Sequence, residues 1–323
     1  MDNTFKCRKV FVVGCPRSGT TWLSNMLGYH PDIVKTSYES WIYKLVYEPF
    51  EYIHEFTLKQ RLDNAKFIFQ RYGFIPLIRG IQIDDLWHGI LRDYSNGQSR
   101  GIGLYRLVTY EQLEALLNKA REQEGSDLEK AERLISEILE LAFINLDGKP
   151  HQMLLEKTPD HIRRAQQILE TFPEAKIIEI VRDGRDVCAS FQSLSKSKNQ
   201  KWAQRSTSEI IDLWQRHIKY GNALRDGASQ ADRFYSVRYE DLKEDTLEEL
   251  SKMFRFLGLE ENQLIIESIV ESHDIRKVKV KGEGQKTNQG VVGRWRKKLS
   301  QSDIYLWNKD AYETLTRLGY AKE

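Results

Sequence analysis

Residues 9–27 read KVFVVGCPRSGTTWLSNML. Lys9–Val13 is a short, apolar, β-branched run of the kind that forms a buried strand. Gly14-Cys15-Pro16-Arg17-Ser18-Gly19-Thr20-Thr21 follows at once, and Trp22–Leu27 opens a helical pattern. A strand, a glycine-bracketed loop and a helix start together make a cradle for an anion. The N–H groups of such a loop converge on one spot, and the positive end of the helix dipole lies beside it.

The spacing Gly14-x4-Gly19 is that of the nucleotide P-loop, but Thr20 stands where that motif needs lysine. The cation has moved into the loop as Arg17. The two glycines alone also fit an ordinary turn. The longer string Pro16-Arg17-Ser18-Gly19-Thr20-Thr21-Trp22 is more specific. It resembles the loop with which sulfotransferases hold the 5′-phosphosulfate of PAPS (3′-phosphoadenosine 5′-phosphosulfate). The cytosolic branch of that family usually has lysine at the Arg17 position; protein-tyrosine and many bacterial members have arginine.

Further strand exits carry chemistry at the edge where an open α/β sheet binds its ligands. Ile33–Trp41 reads as a short strand and a loop that carries Glu39, which is either a group near the cradle or a solvated surface carboxylate. Met153-Leu154-Leu155 reads as a second core strand, ending in Glu156-Lys157-Thr158-Pro159-Asp160-His161. Thr158 is placed to cap a helix over His161–Phe172, with Pro159 in its first turn. Ala175–Val181 reads as a third strand, running into Arg182-Asp183-Gly184-Arg185-Asp186-Val187-Cys188-Ala189-Ser190. An arginine leaving a strand and a serine in the next helix supply a guanidinium fork and a neutral donor for a phosphate. Phe234–Leu242 reads as a fourth strand and its exit, ending in Tyr239-Glu240-Asp241-Leu242. Lys277, Lys279, Lys281, Lys286, Arg294, Arg296, Lys297 and Lys298 make a basic stretch around Gly290-Val291-Val292-Gly293-Arg294-Trp295.

These segments extend the resemblance. The family's 3′-phosphate motif is an arginine with a serine eight residues on, which Arg182 and Ser190 fit. Its Tyr-Glu-Asp-Leu element puts the tyrosine, here Tyr239, against adenine; a plain core aromatic is an equal reading of the residue itself. Its C-terminal Gly-x-x-Gly-x-Trp loop, here Gly290, Gly293 and Trp295, closes over the 3′-phosphate. The cytosolic branch has Arg-Lys before the first of those glycines, where this chain has Asn288-Gln289, so Lys286 or Arg294 would compensate. The family's lysine beside the transferring sulfuryl group maps to Lys157, and a catalytic carboxylate shortly after the first helix maps to Glu39. His161 lies one helical turn from Lys157 and is the second candidate for the base.

Composition sets the remaining limits. At 323 residues with 40% hydrophobic content, the chain supports one large α/β domain, 1–323. Residues 42–150 carry no compact motif and read as a helical, acceptor-side insertion. Their aromatics, from Tyr43, Tyr47, Phe50, Tyr52 and Phe56 to Phe67, Phe69, Tyr72 and Phe74, fit either a core or an apolar acceptor pocket. Tyr94–Gly103 reads as a loop, Tyr110–Leu146 as helix broken at Gly125-Ser126-Asp127, and Ser195–Arg205 as a mobile polar stretch. Forty-nine basic against 47 acidic residues leave a net charge of +2, which gives no general case for nucleic acid. Three widely spaced cysteines point to a reducing, cytoplasmic setting rather than to zinc or disulfides. The first ten residues lack the apolar core of a signal peptide, and no apolar run approaches the ~20 residues of a membrane span.

The expected fold is α/β: a P-loop-like parallel sheet flanked by helices on both faces, with a helical insertion. The resemblance implies sulfuryl transfer from PAPS to a hydroxyl or amine of a small-molecule or peptide acceptor, leaving PAP (adenosine 3′,5′-bisphosphate). Pro16–Trp22, Arg182, Ser190, Tyr239, Gly290, Gly293 and Arg294 would bind the nucleotide. Arg17, Lys157, and Glu39 or His161 would act in catalysis, with no metal required. A P-loop kinase and an inactive PAP-binding module are the rival readings.

Overall fold

The computed structural model describes residues 7–49, 65–72, 83–196, 200–227, 232–273 and 290–320. Five strands form one sheet: β1 (Arg8–Gly14), β2 (Ile33–Lys35), β3 (Met153–Lys157), β4 (Lys176–Val181) and β5 (Phe234–Arg238), in the order β2-β3-β1-β4-β5. β4 pairs in parallel with both β1 and β5, with Val12 opposite Ile178 and Glu179 opposite Ser236. β1 is central, and all of it after Arg8 is buried, which is why it reads as a continuous apolar run rather than an alternating one. Helices supply the crossovers that parallel strands require. This is the α/β sheet with helices around it that the strand spacing predicts.

By its internal contacts the chain divides into two compact units. One comprises Met1–Lys9, Val34–Thr158 and Glu170–Pro173. A π-helical turn, Tyr43–Tyr47, buries Tyr43, Val46 and Tyr47. Helices Tyr110–Glu122 and Asp127–Asn145 each begin with a capping box, Thr109 with Gln112 and Ser126 with Glu129. The break foreseen at Gly125-Ser126-Asp127 is therefore the start of the second of these helices. Its inner stripe, Ala131, Leu134, Ile135, Ile138, Leu139 and Ala142, is buried at helical spacing.

The loop expected over Tyr94–Gly103 is instead mostly the end of a helix, Ile83–Arg100. Leu86, Trp87, Ile90 and Tyr94 form its buried stripe. Gly97 lies within it, and a Cβ there would lie 2.4 Å from the carbonyl oxygen of Ile102. The glycine serves a close approach of backbone, and the chain turns only at Gly101 and Gly103. Phe50, Tyr52, Phe56 and Phe74 lie outside the described residues, as do the side chains of Phe67 and Tyr72.

The other unit comprises Val10–Ile33, Pro159–Leu169 and Glu174–Glu323. Val187, Phe191, Trp214, Trp307 and Leu315 belong to its buried core. The helix expected over His161–Phe172 starts as a tight 3₁₀ turn, Pro159–Arg164, and becomes α-helical only over Ala165–Thr171. Thr158 has a different task from capping. Its hydroxyl donates to Glu156 Oε1 at 2.6 Å and accepts from the backbone N–H of Trp41 at 3.3 Å. Within the stretch taken as mobile, Ser195 ends helix Gly184–Ser195, Lys201–Ala203 forms a 3₁₀ turn, and 197–199 lie outside the described residues. Lys277, Lys279, Lys281, Lys286, Asn288 and Gln289 also lie outside them. Among the described residues no helix is long and apolar enough to cross a membrane.

Candidate functional site: a phosphate cradle and a carboxylate–lysine pair

The cradle is built within the second unit. β1 ends at Gly14, and helix Thr20–Leu27 begins after Gly19, whose φ of 107° only glycine adopts readily. No side chain caps that helix start, which leaves its first-turn N–H groups available to an anion. A Cβ on Gly19 would lie 2.7 Å from Tyr239 Cδ2, so the tyrosine ring closes directly on the loop. Arg17 has a φ of 76°, a left-handed conformation that costs a non-glycine residue about 1–3 kcal/mol. Ser18 is fully buried, and its hydroxyl has no hydrogen-bond partner among the described residues. An oxygen-rich ligand seated in the loop would satisfy that hydroxyl, so the residues present fit a phosphate.

The 3′-motif residues join the same cluster. Arg17 Nε donates to Ser190 Oγ at 3.1 Å, and Arg182 Nη1 donates to the carbonyl of Arg17 at 3.4 Å. The Arg182 guanidinium lies 4.2 Å from the centroid of the Tyr239 ring, and Trp22 meets that ring edge-on at 5.5 Å. Arg182 Nη2 also donates to the carbonyl of Val291 at 3.3 Å, while the Tyr239 hydroxyl donates to that of Gly290 at 3.2 Å. Burial pushes the Tyr239 phenol above its ordinary value against the pull of Arg182, so it remains a neutral donor. Arg294 Nη2 reaches Ser193 Oγ at 2.8 Å; burial first, and then Arg182, lower its proton affinity.

Two residues that sequence reasoning missed hold this cluster together. Asp186, fully buried, accepts from the N–H groups of Gly293 at 2.8 Å and Trp295 at 2.9 Å, and lies 3.6 Å from Arg182 Nη2. Lys243 Nζ donates to the carbonyl of Gly290. Asp186 stood in plain view four residues after Arg182, and that proximity was the available signal. Nothing local marked Lys243.

The first unit holds Glu39 and Lys157. Lys157 Nζ donates to Glu39 Oε1 at 2.9 Å, and the indole N–H of Trp41 donates to Oε2 at 3.0 Å. The side chain of Glu39 is 29% exposed and that of Lys157 10%. Strand alternation turns the neighbouring Glu156 inward. Its buried carboxylate accepts from Ser40 Oγ at 2.7 Å, Ser40 N at 3.3 Å and Thr158 Oγ1 at 2.6 Å. The 39–41 segment is thus tied to the end of β3 by a buried polar network. Trp41 has a φ of 55°, a second strained non-glycine residue.

Pro16, Arg17, Ser18, Gly19, Thr20, Thr21, Trp22, Arg182, Ser190, Tyr239, Gly290, Gly293 and Arg294 therefore share one loop or one chain of contacts in the second unit. Glu39 and Lys157 pair in the first. His161 is 2% exposed, its ring edge-on to Phe11 at 6.4 Å in the interior of the second unit. Among the described residues, no group of His, Cys, Asp and Glu is arranged to hold a metal ion.

Comparison with known proteins gives the family. Residues 9–263 match the profile of the sulfotransferase family. A stretch of 108 residues, 32% of the chain, is 35% identical to the omega-hydroxy-beta-dihydromenaquinone-9 sulfotransferase Stf3 of Mycobacterium bovis, and equally to that of Mycobacterium tuberculosis. The match spans 28% of the length of each of those relatives. Among solved structures, Mycobacterium tuberculosis STF1 gives a TM-score of 0.47 at 21% identity, covering 83% of this chain and 71% of its own. Mouse SULT7A1 complexed with PAP gives 0.49 at 14% identity, covering 98% and 86%. The profile match takes in the cradle loop, the Arg182–Ser190 motif and the Glu39–Lys157 pair, and the chain belongs to the sulfotransferase family.

Proposed function

We propose that the chain transfers a sulfuryl group from PAPS to a hydroxyl (or amine) of an acceptor by in-line displacement, with Glu39 as the general base. The observation that carries this reading is the Arg17–Ser190 hydrogen bond at 3.1 Å. It links the loop suited to a 5′-phosphosulfate with the motif suited to a 3′-phosphate, although 173 positions separate them in the chain.

PAPS supplies an activated sulfuryl group on a mixed phosphate–sulfate anhydride. Arg17, Ser18, Gly19, Thr20 and Thr21 would hold its 5′ end, with Pro16 shaping the turn. Arg182, Ser190, Arg294 and the Gly290–Gly293 loop would hold the 3′-phosphate, and Trp22 and Tyr239 the adenine. Arg17, Lys157 and the loop N–H groups would then stabilise charge developing on the leaving phosphate and the sulfuryl oxygens. A sulfuryl group carries less negative charge than a phosphoryl group, so these cations suffice and no metal is required. Glu39 would take the acceptor proton, its carboxylate oriented by Lys157 and Trp41. It is preferred to His161 because a base must touch its substrate, and the His161 ring is buried against Phe11. The chain would act as one functional domain, with 42–150 on the acceptor side, in a reducing compartment.

The test is a mass-spectrometric screen of hydroxyl acceptors (phenols, lipids, sugars and peptides) with PAPS, alongside calorimetric titration of PAP and ATP. Glu39→Gln should lower turnover on the order of 10²–10⁴-fold and leave PAP affinity nearly intact. Unchanged turnover rejects the base. Arg17→Ala should weaken PAP binding; retained affinity counts against the cradle. Preference for ATP would favour a kinase, and PAP binding without transfer an inactive module.

A further inference from the structure

Arg106 is the odd arginine of the first unit. Other arginines of that unit have polar partners: Arg121 meets Asp84, Arg8 donates to the carbonyl of His151, and Arg133 to Gln123 Oε1 and the carbonyl of Glu124. The Arg106 guanidinium makes no ion pair among the described residues, and its Nε is buried without a hydrogen-bond partner. Glu39 follows Tyr38 directly, yet its two oxygens are already engaged by Lys157 and Trp41.

The guanidinium is nevertheless held in place. It lies 4.3 Å from the centroid of the Tyr38 ring and 4.6 Å from that of Tyr105. Tyr94 braces Tyr105 edge-on at 6.4 Å, with its own hydroxyl fixed to the carbonyl of Val108 at 3.1 Å. The backbone is anchored to the Glu39 segment as well. Gly103 N donates to the carbonyl of Glu39 at 3.0 Å, and Arg106 N to that of Gly103 at 3.1 Å. Tyr38 is 49% exposed, so the patch opens to solvent. Nearby cations add to it. Lys44 lies over the Trp41 ring at 4.4 Å, and Lys35 sits close enough to Lys157 for the two ammonium groups to repel.

We infer that Arg106, held over Tyr38 and Tyr105 beside Glu39, recognises an oxyanion, a carboxylate or phosphate, that the acceptor carries in addition to its hydroxyl. The two rings hold the guanidinium by cation–π contact, and its N–H donors, which lie in the guanidinium plane, have no carboxylate partner among the described residues. A planar or tetrahedral oxyanion taken as a fork is the partner those donors suit. This rests on the reading of Glu39 as the acceptor's base.

The test measures binding to the full chain by ligand-observed NMR. The probes are 4-hydroxybenzoate and 4-hydroxyphenyl phosphate, against neutral 4-hydroxybenzamide. At least one charged phenol should bind tenfold or more tightly than the amide. Arg106→Gln should erase that preference while leaving amide binding and PAP affinity within about twofold; Arg106→Lys, which keeps the charge but loses the fork, should retain part of it. Equal binding of all three probes overturns the inference. So does a preference that survives in Arg106→Gln, or a variant that loses PAP and every probe together, since that marks a packing role. Because the probes need no PAPS, failure of sulfuryl transfer with this preference intact would remove the proposed reaction and leave the anion site standing.

Discussion

Asp186 shows how much one side chain carries. Its carboxylate fixes the N–H groups of Gly293 and Trp295 and stands 3.6 Å from Arg182, so one group sets the glycine loop and the guanidinium together. Removing it strands two backbone donors, each a cost of about 1–2 kcal/mol, and leaves Arg182 without its carboxylate. Asp186→Ala should lower unfolding free energy by roughly 2–4 kcal/mol in urea. It should also weaken PAP binding at least tenfold in whatever fraction stays folded. Asp186→Asn keeps one acceptor oxygen and should lie between. A folded Asp186→Ala protein that binds PAP at wild-type affinity would show that the carboxylate serves stability alone. The sequence exposed Arg182 and Ser190 because they belong to a recurring string. It hid the function of Asp186, because the N–H groups that carboxylate accepts from, those of Gly293 and Trp295, lie more than 100 residues away.

A cap is legible where it is complete in adjacent residues, as at Gly125-Ser126-Asp127, although most of the capping boxes went unread in the sequence. Ser126 and Glu129, Ser206 and Glu209, and Ser300 and Asp303 all form boxes. The misread cap, Thr158, is governed by a distant contact, with Trp41 117 positions away, whereas Gly97 was misread because a glycine needed for close backbone approach to Ile102 looks in sequence like a loop glycine. Asp303 goes beyond its own cap. Besides Ser300 it accepts from Gln192 Nε2 at 3.2 Å and from the Thr207 hydroxyl, so it ties together helices Gly184–Ser195, Thr207–Arg225 and Gln301–Asp310. Burial alone would raise its carboxyl; the hydrogen bonds from Thr207, Ser300 and Gln192 outweigh that and hold it below the ordinary aspartate value. The ionised form is the one the fold prefers. Its stabilisation is therefore complete above the unfolded-state value and disappears as pH falls through the lower folded-state value. Asp303→Asn should cost on the order of 1 kcal/mol at pH 7. The gap to wild type should stay constant down to about pH 4 and close below it. Urea unfolding from pH 7 to pH 3 checks this, and a gap that widens in acid would show the sign to be wrong.

At the scale of the whole molecule, two strings decided the reading: the cradle loop and the Arg182–Ser190 motif, each following a buried strand. Their meeting through Arg17 and Ser190 could be expected only by resemblance, because sequence spacing says nothing about which strands neighbour one another. Trp41 and Arg106 were invisible for the same reason. The three cysteines offer a readout of the assembled fold. Cys7, Cys15 and Cys188 are free and buried, and burial raises all three thiols, Cys7 to about 12 and Cys188 to about 11. At pH 8 the folded chain should therefore react with iodoacetamide only when it opens. Cys15 lies inside the cradle loop, so its alkylation reports the opening of that loop. A ligand that binds only the closed form raises the opening free energy by RT ln(1 + [L]/Kd), about 2.7 kcal/mol at a hundredfold excess over Kd. PAP at that excess should slow Cys15 alkylation about a hundredfold, as read by peptide mass spectrometry, and Arg182→Ala should need far more PAP for the same protection. Rapid labelling of Cys15 in the native chain, or a rate indifferent to saturating PAP, would mean that the loop does not close around this nucleotide.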